Sequence, residues 1–427
     1  MLSETQEIIF NNYLEGSNIF ITGPGGCGKT YLIKHIVNHA RQNNKNVSVC
    51  AMTGCAAYLL DCGATTLHKW SQLGLANRSF TDNIRFIYNN LNRRTAWATT
   101  KLLIIDEVSM MSKFMFDLID AIGKKVHNNN KPFGGIQIIL SGDFYQLPPI
   151  QNNIDVSTKE FCFQSNNWNS TFDYQIHLKK VFRQDNNKFI KILHQIRKGN
   201  ISKNSINTLE KRIKHIEDKK IKPIILTPLR NTANNINNLN LSKLETKKYK
   251  YDYQVITNFK NKASQKYIDN EVKYMLNARN ITPNLILKVG CQVMCTVNIN
   301  IPEGIINGSV GIIIEIKNNY PVILFNNGII YHMSTYNWMN EDNTVGITQI
   351  PLQLAWAVTI HKSQGATLDY AQMDLGSDIF SDGQIYVALS RVKSLDNLYL
   401  IDFDYKKISA NKLVKQFYKS PLILNME

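Results

Sequence analysis

The sequence predicts an α/β protein with parallel sheets, interrupted late in the chain by a smaller β-rich insertion. Three observations lead there. Short apolar runs alternate with amphipathic stretches from residue 18 to about 170, and a glycine-rich loop joins the first run to the first stretch. From about 255 to 350 that rhythm gives way to a period of two broken by turn signals. Strands of four to six residues separated by helices specify a parallel sheet with both faces covered, whereas strict alternation with turns specifies antiparallel strands.

Taken in order, the strands of the first block are NIFIT, VSVCAMT, LLIIDEVSMM and IQIILSG, with YLIKHIVNHA as the helix after the first. A second α/β block is expected to begin near Tyr174, with KFIKILHQIRKG as a helix ending at Gly199, PIILTPLR as a strand and NTANNINNLNLSKL as a further helix. The segments VGCQVMCTVNI, NGSVGIIIEI, PVILFNNGIIYH and VGITQIPLQLAW read as the strands of a barrel or sandwich. The α/β pattern then returns with LAWAVTIHKSQG, GQIYVALSRV and NLYLIDFD. The expected domains are therefore 1–173, then 174–254 joined with 351–427, with 255–350 inserted between them.

At 427 residues and 44% hydrophobic the chain is long enough for more than one core. Lysine and arginine number 49 against 33 acids, a net +16, which favours a polyanionic partner such as nucleic acid over an acidic small molecule. Seven scattered cysteines without a C-x-x-C pair argue against a disulfide framework and a zinc module, and point to a reducing, intracellular compartment. No apolar run approaches a membrane span, and MLSETQEIIF lacks the basic start of a signal peptide.

Gly23-Pro24-Gly25-Gly26-Cys27-Gly28-Lys29-Thr30 fits G-x-x-x-x-G-K-[ST] between a strand and a helix, the context a P-loop requires. Its backbone N–H groups would curl around phosphates, Lys29 would supply a point charge, and the Thr30 hydroxyl would ligate magnesium. Asp106 and Glu107 end an apolar strand, where open α/β sheets bind ligands: Asp106 is expected to hold magnesium and Glu107 to activate a water. In Gly142-Asp143-Phe144-Tyr145-Gln146-Leu147-Pro148-Pro149, Gln146 is expected to sense a γ-phosphate and the attacking water, since an amide donates and accepts without adding charge. The prolines brace the outgoing backbone, and Phe144 and Tyr145 are expected to pack beneath the loop. Thr66-Leu67-His68-Lys69 is echoed by Thr359-Ile360-His361-Lys362.

The ordered set GPGGCGKT, TGCAA, TTLHKW, DEVSM, PFGGIQIILSGDFYQLPP, VFRQ, AWAVTIHKSQGATLD and YVALSRVKS closely resembles superfamily 1B DNA helicases of the petite integration frequency (Pif) type, and RecD more distantly. The match runs from Gln6 to about Asp404. The resemblance implies two RecA-like domains, ATP and Mg2+ as cofactors, and 5'-to-3' translocation on single-stranded DNA with unwinding of tailed duplexes. The same motifs would serve a DNA-stimulated ATPase that remodels protein–DNA complexes. Carried over by motif, Gln6 resembles an adenine-reading glutamine, and Arg183 and Arg391 resemble arginine fingers on the second domain, tying hydrolysis to domain closure. Thr53, Gly54, His68, Lys69, Thr359, His361, Lys362, Ser363 and Gln364 would face DNA, the echo becoming two phosphate grips. Trp70, Trp168, Trp338 and Trp356 are stacking candidates, with core packing expected for most. The wedge element falls at about 71–97 without informative residues. With so few residues before Gln6, a regulatory N-terminal extension is expected to be absent, and the protein is expected to act as a monomer, with replication or repair proteins as further partners.

Overall fold

The computed structural model describes residues 2–74, 76, 78–149, 158–213, 223–258, 264–278, 281–300, 302–340 and 344–424. The chain divides into two compact units: residues 1–207, 379–395 and 404–427 form unit 1, and residues 208–378 with 396–403 form unit 2.

Unit 1 begins with α1 (Glu4–Leu14), β1 (Ile19–Thr22), α2 (Lys29–Gln42), β2 (Val47–Ala51), α3 (Gly54–Leu60), β3 (Thr65–Thr66) and α4 (Leu67–Trp70). It continues through α5 (Phe80–Tyr88), α6 (Leu91–Thr99), β4 (Leu102–Asp106), α7 (Lys113–His127), β5 (Gln137–Gly142), α8 (Trp168–Thr171), β6 (Tyr174–His177) and α9 (Asn187–Arg197). Helix α10 (Lys203–Glu210) leads into unit 2, whose strands are β7 (Ile224–Thr227), β8 (Tyr249–Asp252), β9 (Gln254–Thr257), β10 (Asn284–Leu287), β11 (Gln292–Cys295), β12 (Val310–Lys317), β13 (Tyr320–Phe325), β14 (Ile330–His332), β15 (Tyr336–Met339), β16 (Val345–Gln349), β17 (Leu352–Leu354), β18 (Ala357–Thr359) and β19 (Ala371–Leu375). Helices α11 (Arg230–Lys243) and α12 (Gln265–Ala278) lie among them. The chain then gives α13 (Gln384–Leu389) to unit 1, β20 (Leu398–Phe403) to unit 2, and α14 (Lys412–Phe417) and β21 (Ile423–Leu424) to unit 1.

The sheet of unit 1 has seven parallel strands in the order β21-β6-β1-β5-β4-β2-β3. Every residue of β1, β4 and β5 is buried, because side chains alternate between two covered faces. Phe20, Leu103, Ile105, Ile138 and Leu140 enter one core with Phe144, Trp168 and the aromatic residues around them. Ile19, Ile21, Leu102, Ile104 and Ile139 enter the other, against Ile9 of α1 and Leu32, Ile33, Ile36 and Val37 of α2. Those α2 positions recur at helical spacing, so one stripe of the helix is apolar and the rest faces water.

The strand Tyr174–His177, expected to open a second domain, is instead the parallel neighbour of β1, and α9 stays with it in unit 1. The strand Ile423–Leu424, expected in the second domain, pairs with β6. The expected boundary at 173 therefore falls inside a sheet.

Unit 2 holds a four-stranded parallel sheet, β18-β7-β19-β20. Between β7 and β18 the chain forms antiparallel sheets of five strands (β14-β13-β12-β11-β17), three (β15-β16-β9) and two (β10-β8), around a core that includes Leu285, Val293, Ile313, Ile323 and Phe325. The β-type alternation expected over 255–350 thus takes antiparallel form, with α12 set into it. Among the described residues, no helix is long and apolar enough to cross a membrane.

Candidate nucleotide and nucleic-acid sites

Three neighbouring parallel strands end at one edge of the unit 1 sheet. β1 runs into the P-loop, β5 into Asp143–Gln146, and β4 ends at Asp106. The registers Thr22 opposite Gly142 and Ile105 opposite Leu140 bring the three endings level. This is the edge at which an open parallel sheet gathers ligand groups.

The P-loop wraps into the start of α2 through Gly28, whose φ of 85° is left-handed. A Cβ at Gly28 would come within 2.7 Å of Gln6 Nε2, and one at Gly26 within 2.5 Å of Arg183 Cβ, so both neighbours approach only because these residues are glycine. Lys29 Nζ donates to the carbonyls of Gly23 (2.7 Å) and Pro24 (3.1 Å), which folds the ammonium over its own loop. Gln6 is buried at the start of α1: its Oε1 accepts from Ser3 N (2.9 Å) and its Nε2 donates to Gly28 O (3.3 Å). The ring of Phe182, which is 49% exposed, lies 3.5 Å from the same Cβ position.

Arg183 and Arg391 both belong to unit 1, with the P-loop, and not to the unit built on the second parallel sheet where the resemblance put them. Arg183 Nη1 donates to Ser390 O (3.2 Å). Arg391 is 1% exposed, its Nε donates to Val387 O (2.8 Å) and its Nη2 to Ser390 Oγ (2.6 Å). The Nη2 atom lies 3.7 Å from the Cβ position of Gly25. Burial, and then the like charge of Arg183, push Arg391 down to about 9, against a partial pull from Glu107. Two guanidiniums that repel each other beside the P-loop glycines constitute a site whose electrostatic complement is an anion.

The carboxylates stand beside this cationic group. Asp106 is 5% exposed, and burial first, with Glu107 second, raises it to about 6, against lowering by the Ser141 hydroxyl and Lys29. Glu107 sits at φ 56° and ψ 41°, a left-handed conformation unusual for a residue with a Cβ, at the start of the turn Val108–Met110. The same observation places the second acid off the strand axis. Gln146 is 5% exposed, and its Oε1 is buried with no hydrogen-bond partner, although its backbone N donates to Asp143 O (2.8 Å). A buried amide oxygen left unsatisfied is uncommon and marks a group held ready for something else.

Sequence reasoning gave no role to Asp143. The structure makes it a brace. Its buried carboxylate accepts from Arg197 Nε (2.9 Å to Oδ2) and Nη2 (2.8 Å to Oδ1) on α9. Burial alone would raise this carboxyl, but the guanidinium holds it below the usual range. Phe144 and Tyr145 pack as expected, at 2% and 7% exposure. Trp70, Trp168 and Trp338 are core residues and Trp356 is partly buried. The loop side chains Phe182 and Gln184 and, on α13, Tyr386, whose hydroxyl accepts from Gly25 N (2.8 Å), were also missed, and no local pattern announces them.

Of the residues expected to face DNA, Thr53, Gly54, His68 and Lys69 belong to unit 1, and Thr359, His361, Lys362, Ser363 and Gln364 to unit 2. The Thr-x-His-Lys echo is a repeated structure. Thr66 ends the edge strand β3 and its Oγ1 accepts from Lys69 N (3.3 Å); Thr359 ends the edge strand β18 and its Oγ1 accepts from Lys362 N (3.4 Å). Each threonine caps one helical turn carrying a partly buried histidine, and burial lowers both imidazoles below the usual range. In unit 2, Thr359 and Lys362 line a cavity of about 340 Å³ with Arg230, Asn234, Asn238 and Gln353. Thr53 Oγ1 accepts from Ala56 N (3.1 Å) at the start of α3.

Residues 1–207 match the family model described as PIF1-like helicase, and residues 271–316 match that described as DNA helicase Pif1, 2B domain. The ATP-dependent DNA helicase PIF1 of Xenopus laevis is 34% identical over 98% of this chain and 64% of its own length, so the chain spans about two thirds of that relative. A crystal structure of Pif1 helicase from Candida albicans superposes with a TM-score of 0.80 at 31% identity, covering 98% of this chain and 99% of that one. Pif1 helicase from Bacteroides in complex with ADP-AlF3 and single-stranded DNA gives 0.69 at 28% identity over 98% and 96%.

Proposed function

The chain belongs to the Pif1-like helicase family, and from that premise we propose that it is an ATP-dependent DNA helicase, moving 5'-to-3' on single-stranded DNA and unwinding tailed duplexes in genome maintenance. The observation that carries the reading is the pairing of Lys29, Arg183 and Arg391 around the P-loop with Asp106, Glu107 and Gln146 at adjoining strand ends. A cationic cradle binds a polyphosphate; adjacent acids and an unsatisfied amide suit attack by water on its terminal phosphate.

In this reading the loop N–H groups and Lys29 hold the β- and γ-phosphates. Arg183 and Arg391 stabilise charge that develops on the γ-phosphate, and they do so from within the unit that binds it. Glu107 orients and deprotonates the attacking water, and Gln146 turns its free Oε1 to the same water. Gln6 reads the base edge while the exposed Phe182 ring offers it a face. The donor set fits Mg2+: a hydroxyl on Thr30 and a carboxylate on Asp106 are hard oxygen ligands, and a carboxyl raised to about 6 is ionised at pH 7.5. When bound, the ion neutralises phosphate charge.

DNA contact falls to the two threonine-capped turns, with Thr53, Gly54, Ser363 and Gln364, gripping phosphates through the lysine ammoniums, since the threonine hydroxyls already hold the Lys69 and Lys362 N–H groups. The unit 2 cavity, lined by Arg230 and Lys362 without an acid, adjoins the unit 2 turn. A reducing intracellular compartment and a monomeric state complete the proposal. The test is ATP turnover with and without single-stranded DNA, together with strand displacement from 5'- and 3'-tailed duplexes, for the wild type and Lys29→Ala. The expected result is DNA-stimulated turnover and unwinding from the 5' tail, both lost in Lys29→Ala. Turnover without displacement would favour a translocase that remodels protein–DNA complexes, and unwinding only from the 3' tail would reverse the assigned polarity.

A further inference from the structure

The endings of β1 and β5 carry the phosphate loop and the Gln146 turn, and a residue on neither strand ties them together. Thr22 opposite Gly142 is the last pair in that ladder; beyond it the two backbones part and no longer satisfy each other. The Tyr418 phenol occupies that fork. Its Oη lies 2.6 Å from Thr22 Oγ1, accepts from Phe144 N (3.1 Å) and donates weakly to Asp143 Oδ1 (3.4 Å). Its ring stacks on Tyr145, with centroids 4.8 Å apart and planes at 11°, and the Arg197 guanidinium lies 4.6 Å from the Tyr145 centroid and 5.3 Å from that of Tyr418. Asp143, Phe144 and Tyr145 are thus each fixed, by Arg197, by the phenol oxygen and by the phenol ring. Gln146, next in the chain, keeps a buried side-chain oxygen without a partner.

We propose that Tyr418 is a positioning residue for hydrolysis, whose hydroxyl sets the Gln146 turn against the phosphate loop by bridging the strand endings that carry them. The inference rests on the functional reading above. A hydroxyl is required because one atom must accept from Phe144 N while sharing a proton with Thr22; a phenyl ring preserves the stack and removes the bridge. An error of about 1 Å in a group that orients the attacking water lowers turnover on the order of a hundredfold, without weakening nucleotide binding.

The experiment compares Tyr418→Phe, Thr22→Val, Gln146→Ala and the double variant Tyr418→Phe with Gln146→Ala, measuring DNA-stimulated kcat, KM for ATP and melting temperature. Tyr418→Phe and Thr22→Val are each expected to lower kcat about tenfold or more with KM changed less than about threefold, since only placement of the water is lost. The double variant is expected to turn over no more slowly than Gln146→Ala alone, because the bridge acts through that amide. A wild-type kcat in either bridge variant overturns the proposal, as do losses that multiply in the double variant or that follow melting temperature alone. If the wild-type protein shows no DNA-stimulated turnover, the functional reading falls and this inference with it. Intact turnover in Tyr418→Phe removes the inference and leaves that reading standing.

Discussion

Asp106 shows how the site trades stability for chemistry. Its carboxyl is raised to about 6 in the folded chain, so the folded state holds that proton more tightly than the unfolded one does. The associated stability is fully present below the unfolded carboxyl range near 4 and is lost as pH rises through 6. Asp106→Asn is therefore expected to stabilise the nucleotide-free protein by about 1–3 kcal/mol at pH 8, by about half as much at pH 5, and to abolish ATP turnover. Thermal melts at the two pH values check it. Arg391→Lys is expected to lower kcat by about a hundredfold, because an ammonium cannot reproduce a planar fork held by Val387 O and Ser390 Oγ. Removing the guanidinium of Arg197 leaves Asp143 charged, buried and unpaired, so Arg197→Met is expected to destabilise by about 3–5 kcal/mol in denaturant titration. The placement of Lys29, Asp106, Glu107 and Gln146 was legible in the sequence because each lies at a loop or strand ending that its neighbours in the chain define. Asp143 was not, since its partner lies 54 residues away and only tertiary packing pairs them.

The helical turns at Leu67–Trp70 and His361–Ser363 recur for a reason that four matching letters alone could not establish. In both, a threonine at the end of an edge strand caps the turn, and the cap points the following lysine N–H inward while the side chains stay partly accessible. Each turn is expected to grip one phosphate, so Lys69→Ala and Lys362→Ala should each reduce the slope of log affinity against log salt by about 0.7 for single-stranded DNA. Both imidazoles are held below their usual range, which keeps them neutral at pH 7; affinity should therefore gain nothing from histidine protonation between pH 8 and 7. A titration by fluorescence anisotropy at several salt concentrations measures both. The strands β1, β4, β5 and β7 and the helices α2, α9 and α11 follow the sequence pattern closely, since continuous apolar runs and helical stripes are local signals. The placement of β6 and β21 does not. Four residues of strand, or two, carry no information about which sheet they will join, and register with β1 is decided by cores assembled elsewhere.

The whole chain carries +16 and splits into two units, and charge and division bear on different questions. The charge predicts an affinity for single strands that falls steeply with salt irrespective of sequence, and it was legible from composition alone. The division was not, because the chain passes between the units at 207/208, 378/379, 395/396 and 403/404, and such returns depend on contacts distant in sequence. Unit 1 is in effect a host, and most of unit 2 is a guest spliced into it. On the ribosome the host's first 207 residues emerge long before Phe417 and Tyr418, whose rings cover Phe144 and Tyr145. At ordinary elongation rates the delay is roughly ten to forty seconds, far longer than a helix or hairpin takes to form. Through that interval an aromatic face built on Phe20, Phe144 and Trp168 lacks its last layer. Vectorial synthesis thus leaves unit 1 unfinished until Phe417 and Tyr418 arrive.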